Sequence, residues 1–310
     1  MRKTVLFMLL TGILLLSLSA CSPAKQETGT ETASATVTEP ETETEAKTEA
    51  RTENPIGAPY NKPEKPLTGA AVLNAFKSYA FQDESTGKVI PFRIYLPDGY
   101  TEGGAYPVLL FLHGAGQRGN DNKQQVEYAV ANFFSDVNSP VYGSIVVCPQ
   151  CPTDEQWVNT PWENGSYKLN EVPMSESLHA VLELVYFVRE SYSVDPTRIY
   201  VTGLSMGGFG TWDLCMRAPD LFAAAVPMCG GGSPDDADLL ARLPIVTVHG
   251  DSDTKVPVSG TREMVAALKA IGNGVTYYEM QGYTHNVWDW SMTNLGILTW
   301  LYSQSYPDAK

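Results

Sequence analysis

The stretch "RIYVTGLSMGGFGTWDLCMRAP", residues 198–219, limits the fold more than any other part of the chain. A β-branched, apolar run leads into a turn of small residues, and a helix-compatible segment follows that must stop near Pro219. Gly203-Leu204-Ser205-Met206-Gly207 puts a serine at the turn. Strand, tight turn and helix with a serine at the apex is the local arrangement a nucleophile needs, because small neighbours let the backbone fold sharply and leave the hydroxyl exposed. The five-residue pattern alone is weak, since glycine-rich turns also serve packing. The rest of the chain has to supply the context.

That context is an alternation of strands and helices. "IPFRIYLPDGY", "YPVLLFLHG" and "SIVVCPQ" read as strands, and a helix is expected from about Ser175 to Tyr192, with Leu178, Val181, Leu182, Val185 and Val188 on one face. After the serine turn come "FAAAVPMCG", "LPIVTVHG", a helix near 260–271, "VTYYEMQG" and a last helix over about 288–302. Such an order predicts an α/β fold, with a mostly parallel central sheet flanked by helices. Only "GGSPDDADLLAR" separates two of the strands where a cap would be inserted, so no large cap domain is expected.

The N-terminal residues belong to a different regime. "MRK" followed by "TVLFMLLTGILLLSLSA" reads as an export signal over residues 1–20, and it meets Cys21 in "LSAC", which resembles the lipobox of bacterial lipoproteins. That resemblance implies lipidation of Cys21 and an extracytoplasmic position anchored to the bacterial cell envelope. Residues 21–66 are Thr/Glu-rich and almost free of aliphatics; they are read as a disordered tether, unable to bury enough apolar surface to offset chain entropy. Residues 67–310 are then the folded body. With 14 basic and 26 acidic residues, that body repels polyanions, so nucleic acid is excluded as a partner and the membrane is met only through the anchor.

Of the cysteines, Cys148 and Cys151 form a C-x-x-C, but no second pair or histidine pair completes a metal site. The flanking Pro149 and Pro152 suggest a loop leaving a strand, so a structural role is read, as free thiols or as a disulfide. Cys215 and Cys229 read as small buried apolar positions. No metal or cofactor is expected.

Ligands of parallel sheets bind at the carboxyl ends of the strands. Four polar stretches fall there: "HGAGQRGNDN" from His113, the turn at Ser205, "HGDSDTKVP" from His249 and "GYTHNVWDW" around His285. A serine nucleophile requires a base, and the base a carboxylate to orient it. With four histidines in the chain, elimination is informative. His113 and His249 end strands upstream of the needed slot, and His179 lies on the mid-chain helix. His285 alone follows a candidate acid at the end of the last strand, in the order serine, acid, histidine. Asp253 is the expected acid, and Asp251, nearer the strand, the expected loop support. His113 is expected to bond loop backbone, and Arg118 with Asp121 to form a structural knot.

At this point "YPVLLFLHGAGQRGNDN", "VTGLSMGGFGTWDLCMRAPDLFAAAVPMCGGG", "VTVHGDSDTKVP" and "GYTHNVW" together resemble the α/β-hydrolase superfamily, nearest to bacterial esterases and "predicted peptidases" of the dienelactone-hydrolase and feruloyl-esterase-like groups. The resemblance implies an α/β-hydrolase fold, a Ser205-His285-Asp253 triad, and oxyanion donors from the backbone N–H of Met206 and of Ala115, with Gly116 as the alternative. Its physical counterpart is that developing negative charge needs donors already in place.

The expected function is a serine carboxylic-ester hydrolase working through an acyl-enzyme, with feruloyl or acetyl esters borne on polysaccharide as the substrate class. A serine peptidase of the prolyl-oligopeptidase type is the alternative, and a non-catalytic carbohydrate-binding lipoprotein a third. The loop "TDEQWVNTPWENGSYKLNEVPM" before the mid-chain helix offers Trp157, Trp162 and Tyr167 as walls for a sugar or phenolic group, and Trp288 is a further candidate.

Overall fold

The computed structural model describes residues 51–53 and 58–306. The export signal, Cys21 and most of the Thr/Glu-rich segment lie outside the described residues. Among the described residues no helix is long and apolar enough to cross a membrane.

Strands β1 (Arg51–Glu53) and β2 (Pro59–Asn61) form a small antiparallel pair. The main sheet contains β3 (Phe76–Gln82), β4 (Val89–Tyr95), β5 (Tyr106–Leu112), β6 (Ile145–Pro149), β7 (Val194–Leu204), β8 (Ala224–Met228), β9 (Val246–Gly250) and β10 (Thr276–Met280). Their order is β10-β9-β8-β7-β5-β6-β4-β3, parallel from β10 through β6 and antiparallel at the β6-β4-β3 edge. Helices are α1 (Ala70–Ala75), α2 (Gln124–Glu127), α3 (Glu176–Ser191), α4 (Met206–Arg217), α5 (Val258–Ala270), α6 (Trp288–Asn294) and α7 (Ile297–Tyr302).

The continuous apolar strands explain the two-sided packing. Along β5, Val108, Leu110 and Leu112 join one core cluster, whereas Leu109 and Phe111 join the other on the opposite face. The same alternation holds for Ile199 and Val201 against Tyr200 on β7. Each such side chain contributes roughly 1.5–3 kcal/mol by leaving water, so the central strands have no face left to expose. Helix α3 starts where expected because Ser175 Oγ accepts the Leu178 N–H at 3.0 Å, satisfying one of the free first-turn donors. The β8–β9 connection is a short 3₁₀ run, Pro234–Leu240, and it leaves the carboxyl edge of the sheet uncapped.

Three features depart from the sequence reading. The final helix is two helices, since Gly296 adopts a left-handed conformation (φ 63°) between α6 and α7. The edge strand β3 pairs antiparallel with β4, adding a strand where none was expected. Residues 58–61, assigned above to the tether, lie against the body instead. Ala58 and Tyr60 are buried, the Asn61 N–H donates to Asp98 O at 2.8 Å, and Tyr106 Oη donates to Pro59 O at 3.3 Å.

Candidate active site

Ser205 occupies the turn between β7 and α4 with φ 58° and ψ −121°, in the positive-φ region that non-glycine residues rarely adopt. Such a conformation costs on the order of 1–3 kcal/mol and persists only where its surroundings over-determine it. Here they do. The Ser205 N–H donates to Met228 O at 2.9 Å, and the Ser205 carbonyl accepts the Gly208 and Phe209 N–H groups. Helix α4 also lies so close to the sheet that a Cβ on Gly207 would stand 1.9 Å from Leu112 O, and one on Gly203 2.3 Å from Gly207 O. Both positions therefore require glycine, and the sharp turn that lifts the serine hydroxyl follows.

Asp253 stands on the turn after β9 and His285 on the loop after β10. Ser205 Oγ–H donates to His285 Nε2 at 2.8 Å, and His285 Nδ1–H donates to Asp253 Oδ2 at 2.6 Å. The structure thus brings the three residues into one hydrogen-bonded line. The Asp253 side chain is fully buried, while the His285 side chain keeps about a fifth of its surface (22%) open. Burial alone would raise the Asp253 carboxyl. Donors from His249, His285 and the Lys255 and Val256 backbone outweigh burial and hold the group well below the usual carboxylate range. Asp251 does not reach His285; its Oδ1 accepts Ser252 Oγ–H and the Gly282 N–H, each at 2.8 Å, tying the β9 and β10 turns together.

Ala115 and Gly116 lie in the 3₁₀ turn after β5, facing Ser205 across a cavity of about 340 Å³ that Trp162, Lys255, His285 and Trp288 also line. Met206 is buried, and its N–H is the first of α4, a position with no helix carbonyl to bond. Ala115, Gly116 and Ser205 thus line one cavity, and Met206 follows the serine directly at the start of α4.

The architecture is shared with solved structures. A thermostable esterase matches at 34% identity with a TM-score of 0.69, over 76% of this chain and 64% of its own.

The chain has the α/β-hydrolase fold.

Residues 84–237 of the chain match the family described as "Putative esterase". Among curated relatives, poly(3-hydroxyalkanoate) depolymerase C of Paucimonas lemoignei is 42% identical over 52 residues, 17% of this chain and 13% of its own length. The bifunctional acetylxylan esterase/xylanase XynS20E of Neocallimastix patriciarum is 27% identical over 148 residues, 47% of this chain and 19% of its own length. The chain thus spans less than a fifth of either relative.

The other expected residues divide cleanly. Trp162 and Trp288 line the cavity, and the Trp288 ring stands edge-on to His285 with centroids 5.4 Å apart. Trp157 does not line it. Its side chain is buried in the core, its Nε1–H donates to His113 O at 3.0 Å, and its ring meets that of His113 edge-on. Tyr167 is likewise a packing residue, with its hydroxyl on Asp213 Oδ2 at 2.7 Å. His113 is a structural tie: Nδ1–H donates to Gly114 O at 2.7 Å and Nε2 accepts the Cys151 N–H at 3.0 Å, while burial pushes its pKa down to about 4.

Arg118 and Asp121 do not pair with each other. Arg118 donates to the carbonyls of Ala115 and Glu155, whereas Asp121 accepts Gln150 Nε2 at 2.8 Å. Cys148, Cys151, Cys215 and Cys229 are all free thiols in buried positions, and burial pushes each of them up.

One residue of the site escaped the sequence reading. His249, at the end of β9, donates from Nε2 to the same Asp253 oxygen, at 3.1 Å. Elimination had set it aside because its chain position is wrong for the base. The signal present was its spacing of four from Asp253. Cys229, His249 and Asp253 gather three ligand-type atoms within 4.8 Å of one another. Each of these atoms is engaged in hydrogen bonds, the Cys229 thiol donating to His285 O at 3.2 Å.

Proposed function

We propose that the chain is a serine carboxylesterase acting through an acyl-enzyme. The observation that carries this reading is the unbroken line Asp253–His285–Ser205, ending at an open cavity that Ala115 and Gly116 also line. In this mechanism His285 Nε2 takes the Ser205 proton over 2.8 Å as Oγ attacks the ester carbonyl. Asp253 holds the ring so that Nδ1 keeps its proton and Nε2 is free to accept one, and its charge stabilises the imidazolium that forms. The Met206 and Ala115 N–H groups receive the oxyanion, with Gly116 able to take the place of Ala115. His285 then protonates the departing alcohol, and water, deprotonated by the same ring, releases the acid.

Trp162 and Trp288 form the walls that select the substrate, and with no cap the cavity admits an ester carried on a polymer. We propose polysaccharide-borne acetyl or feruloyl esters as the substrate class, in keeping with an acetylxylan esterase among the relatives. Cys21 is proposed to carry the lipid that anchors the enzyme in the bacterial cell envelope, outside the cytoplasm, with the Thr/Glu-rich segment as its spacer. Fractionation tests this: Cys21→Ser should leave the membrane for the soluble fraction, and retention of the variant would rule the lipid out as the anchor.

The deciding experiment for the chemistry pairs a fluorophosphonate probe with a substrate panel. Labelling should map to Ser205, and p-nitrophenyl esters should be turned over in preference to peptide anilides. Faster turnover of the anilides would make the chain a peptidase; no labelling would make it a binder.

A further inference from the structure

We infer that His249 is a positioning residue of the active site, acting on the reaction through Asp253. The inference rests on the esterase reading above. The His249 ring is fully buried, and every polar atom on it touches a fixed protein oxygen. Nδ1 lies 2.7 Å from Thr261 Oγ1, and the same hydroxyl lies 2.7 Å from Gly230 O. Nε2 lies 3.1 Å from both Asp253 Oδ2 and Val256 O. Both partners of Nε2 are acceptors, so this nitrogen carries a hydrogen and donates. The network that sets this proton also sets the carboxylate. Oδ1 receives the Lys255 and Val256 N–H groups at 2.8 and 3.0 Å, and Oδ2 receives His249 and His285.

Without His249, Oδ1 would still be fixed, but Oδ2 would keep only the donor it is meant to orient. The carboxylate could then rotate about its Oδ1 contacts, and the His285 ring would follow. His249 removes that freedom. It is held at its far end by Thr261, which stands on α5 and bonds the loop after β8, so the triad acid is braced against the packed interior.

The test compares His249→Leu, which removes the donor, with His249→Gln, which returns an N–H near the Nε2 position. The assay is p-nitrophenyl acetate hydrolysis, with thermal unfolding recorded for each variant. Loss of a hydrogen bond to a buried charge should lower kcat by about 10- to 100-fold, with KM changed by less than about threefold, and His249→Gln should recover at least half of the loss on a logarithmic scale. Should His249→Leu fail to fold, Thr261→Val, which frees the far side of the ring, should show the same split at smaller size. A kcat within twofold of wild type in the folded variants overturns the inference, as does a glutamine variant no better than leucine. Absence of ester turnover in the wild-type enzyme would instead remove the esterase reading itself.

A second inference comes from a different place, and it too rests on that reading. Trp162 is a wall common to the catalytic cavity and to a separate depression of about 310 Å³, lined by Gln156, Asn159, Thr160, Pro161 and Glu163. Amide, hydroxyl and carboxylate groups beside an indole offer donors, acceptors and a ring face, with no cation among them. That chemistry suits an uncharged, hydroxyl-rich ring and repels an anionic one. We propose that the depression binds the sugar unit neighbouring the esterified one.

Acetylated xylo-oligosaccharides and p-nitrophenyl acetate separate the outcomes. The double variant Asn159→Ala, Glu163→Ala should lose at least fivefold more kcat/KM on the oligosaccharide than on the small ester. Equal losses on both, or none on the oligosaccharide, overturn the subsite. So does a wild-type enzyme that gains nothing from added sugar units, or that gains from peptide esters instead. A wild-type enzyme inactive on both substrates speaks against the esterase and not against the depression.

Discussion

His285 and His249 donate to the same oxygen of Asp253, yet only one of them is placed to move a proton. His285 has one nitrogen on the carboxylate and the other on a serine hydroxyl at the wall of an open cavity. His249 has both nitrogens on protein oxygens that nothing can displace. Residue type, partner and distance are nearly alike in the two, so none of them distinguishes a base from a brace. The distinction lies in whether the far nitrogen meets a group that can change during a reaction. Trp162 and Trp157 differ in the same way, one with a ring face on the cavity and the other filled on every side.

The comparison can be broken at its strongest point first. Ser205→Ala and His285→Ala should each lower kcat on p-nitrophenyl acetate by about 10⁴-fold or more with the fold intact; a near wild-type rate in either would dissolve the proposed roles. Asp253→Asn should lose on the order of 10⁴-fold, by favouring the wrong imidazole tautomer. Asp251→Asn, whose partners are a neighbouring hydroxyl and a turn N–H, should lose about tenfold or less. A reversed ranking would move the acid.

Trp157→Ala sharpens the second pair. Removing a buried indole should cost about 3–5 kcal/mol of stability by denaturant unfolding, well beyond any effect of Trp162→Ala on the same scale. Conversely, Trp162→Ala should lower kcat/KM on a feruloyl ester by roughly 1–2 kcal/mol and on an acetyl ester by less. Equal losses on both esters would make Trp162 a support for its loop.

The smallest effect concerns acid. The folded Asp253 carboxyl is held below its unfolded value, so its contribution to stability is present above the ordinary carboxylate range and is lost as pH falls through and below that range. Between pH 6 and pH 3 the urea midpoint of the wild-type enzyme should therefore drop further than that of Asp253→Asn. A drop of equal size would show that other carboxylates carry the acid sensitivity.

Much of this was legible in the sequence, for identifiable reasons. The apolar runs around β5 and β7 have no polar face, which only a sheet covered on both sides can use, and they gave the architecture. Small residues around Ser205 marked the turn because the approach of α4 to β5 leaves no room for a side chain at Gly207. His285 could be singled out by chain order. What escaped depends on long-range packing. A tryptophan in a polar loop reads alike whether it turns inward, as Trp157 does, or outward, as Trp162 does. His249 could not be assigned because Thr261 and Val256, which fix its ring, are neighbours only in the folded state. Strand β3 mixes lysine, serine and glutamine with its aromatics, being half-exposed at the sheet edge. Residues 58–61 contain few aliphatics, but a buried tyrosine and hydrogen bonds at Pro59 and Asn61 dock them.

Arg118 hangs from two carbonyls, that of Ala115 in the turn beside the serine and that of Glu155 in the long loop bearing Trp162. The guanidinium makes those two segments one mechanical piece. A loop transplanted from another protein of this fold would arrive without the carbonyl that steadies the turn beside the serine. Exchange of the 150–173 segment should therefore succeed as a cassette only when the graft keeps a backbone acceptor facing Arg118, which makes that arginine the seam along which this scaffold can or cannot be recombined.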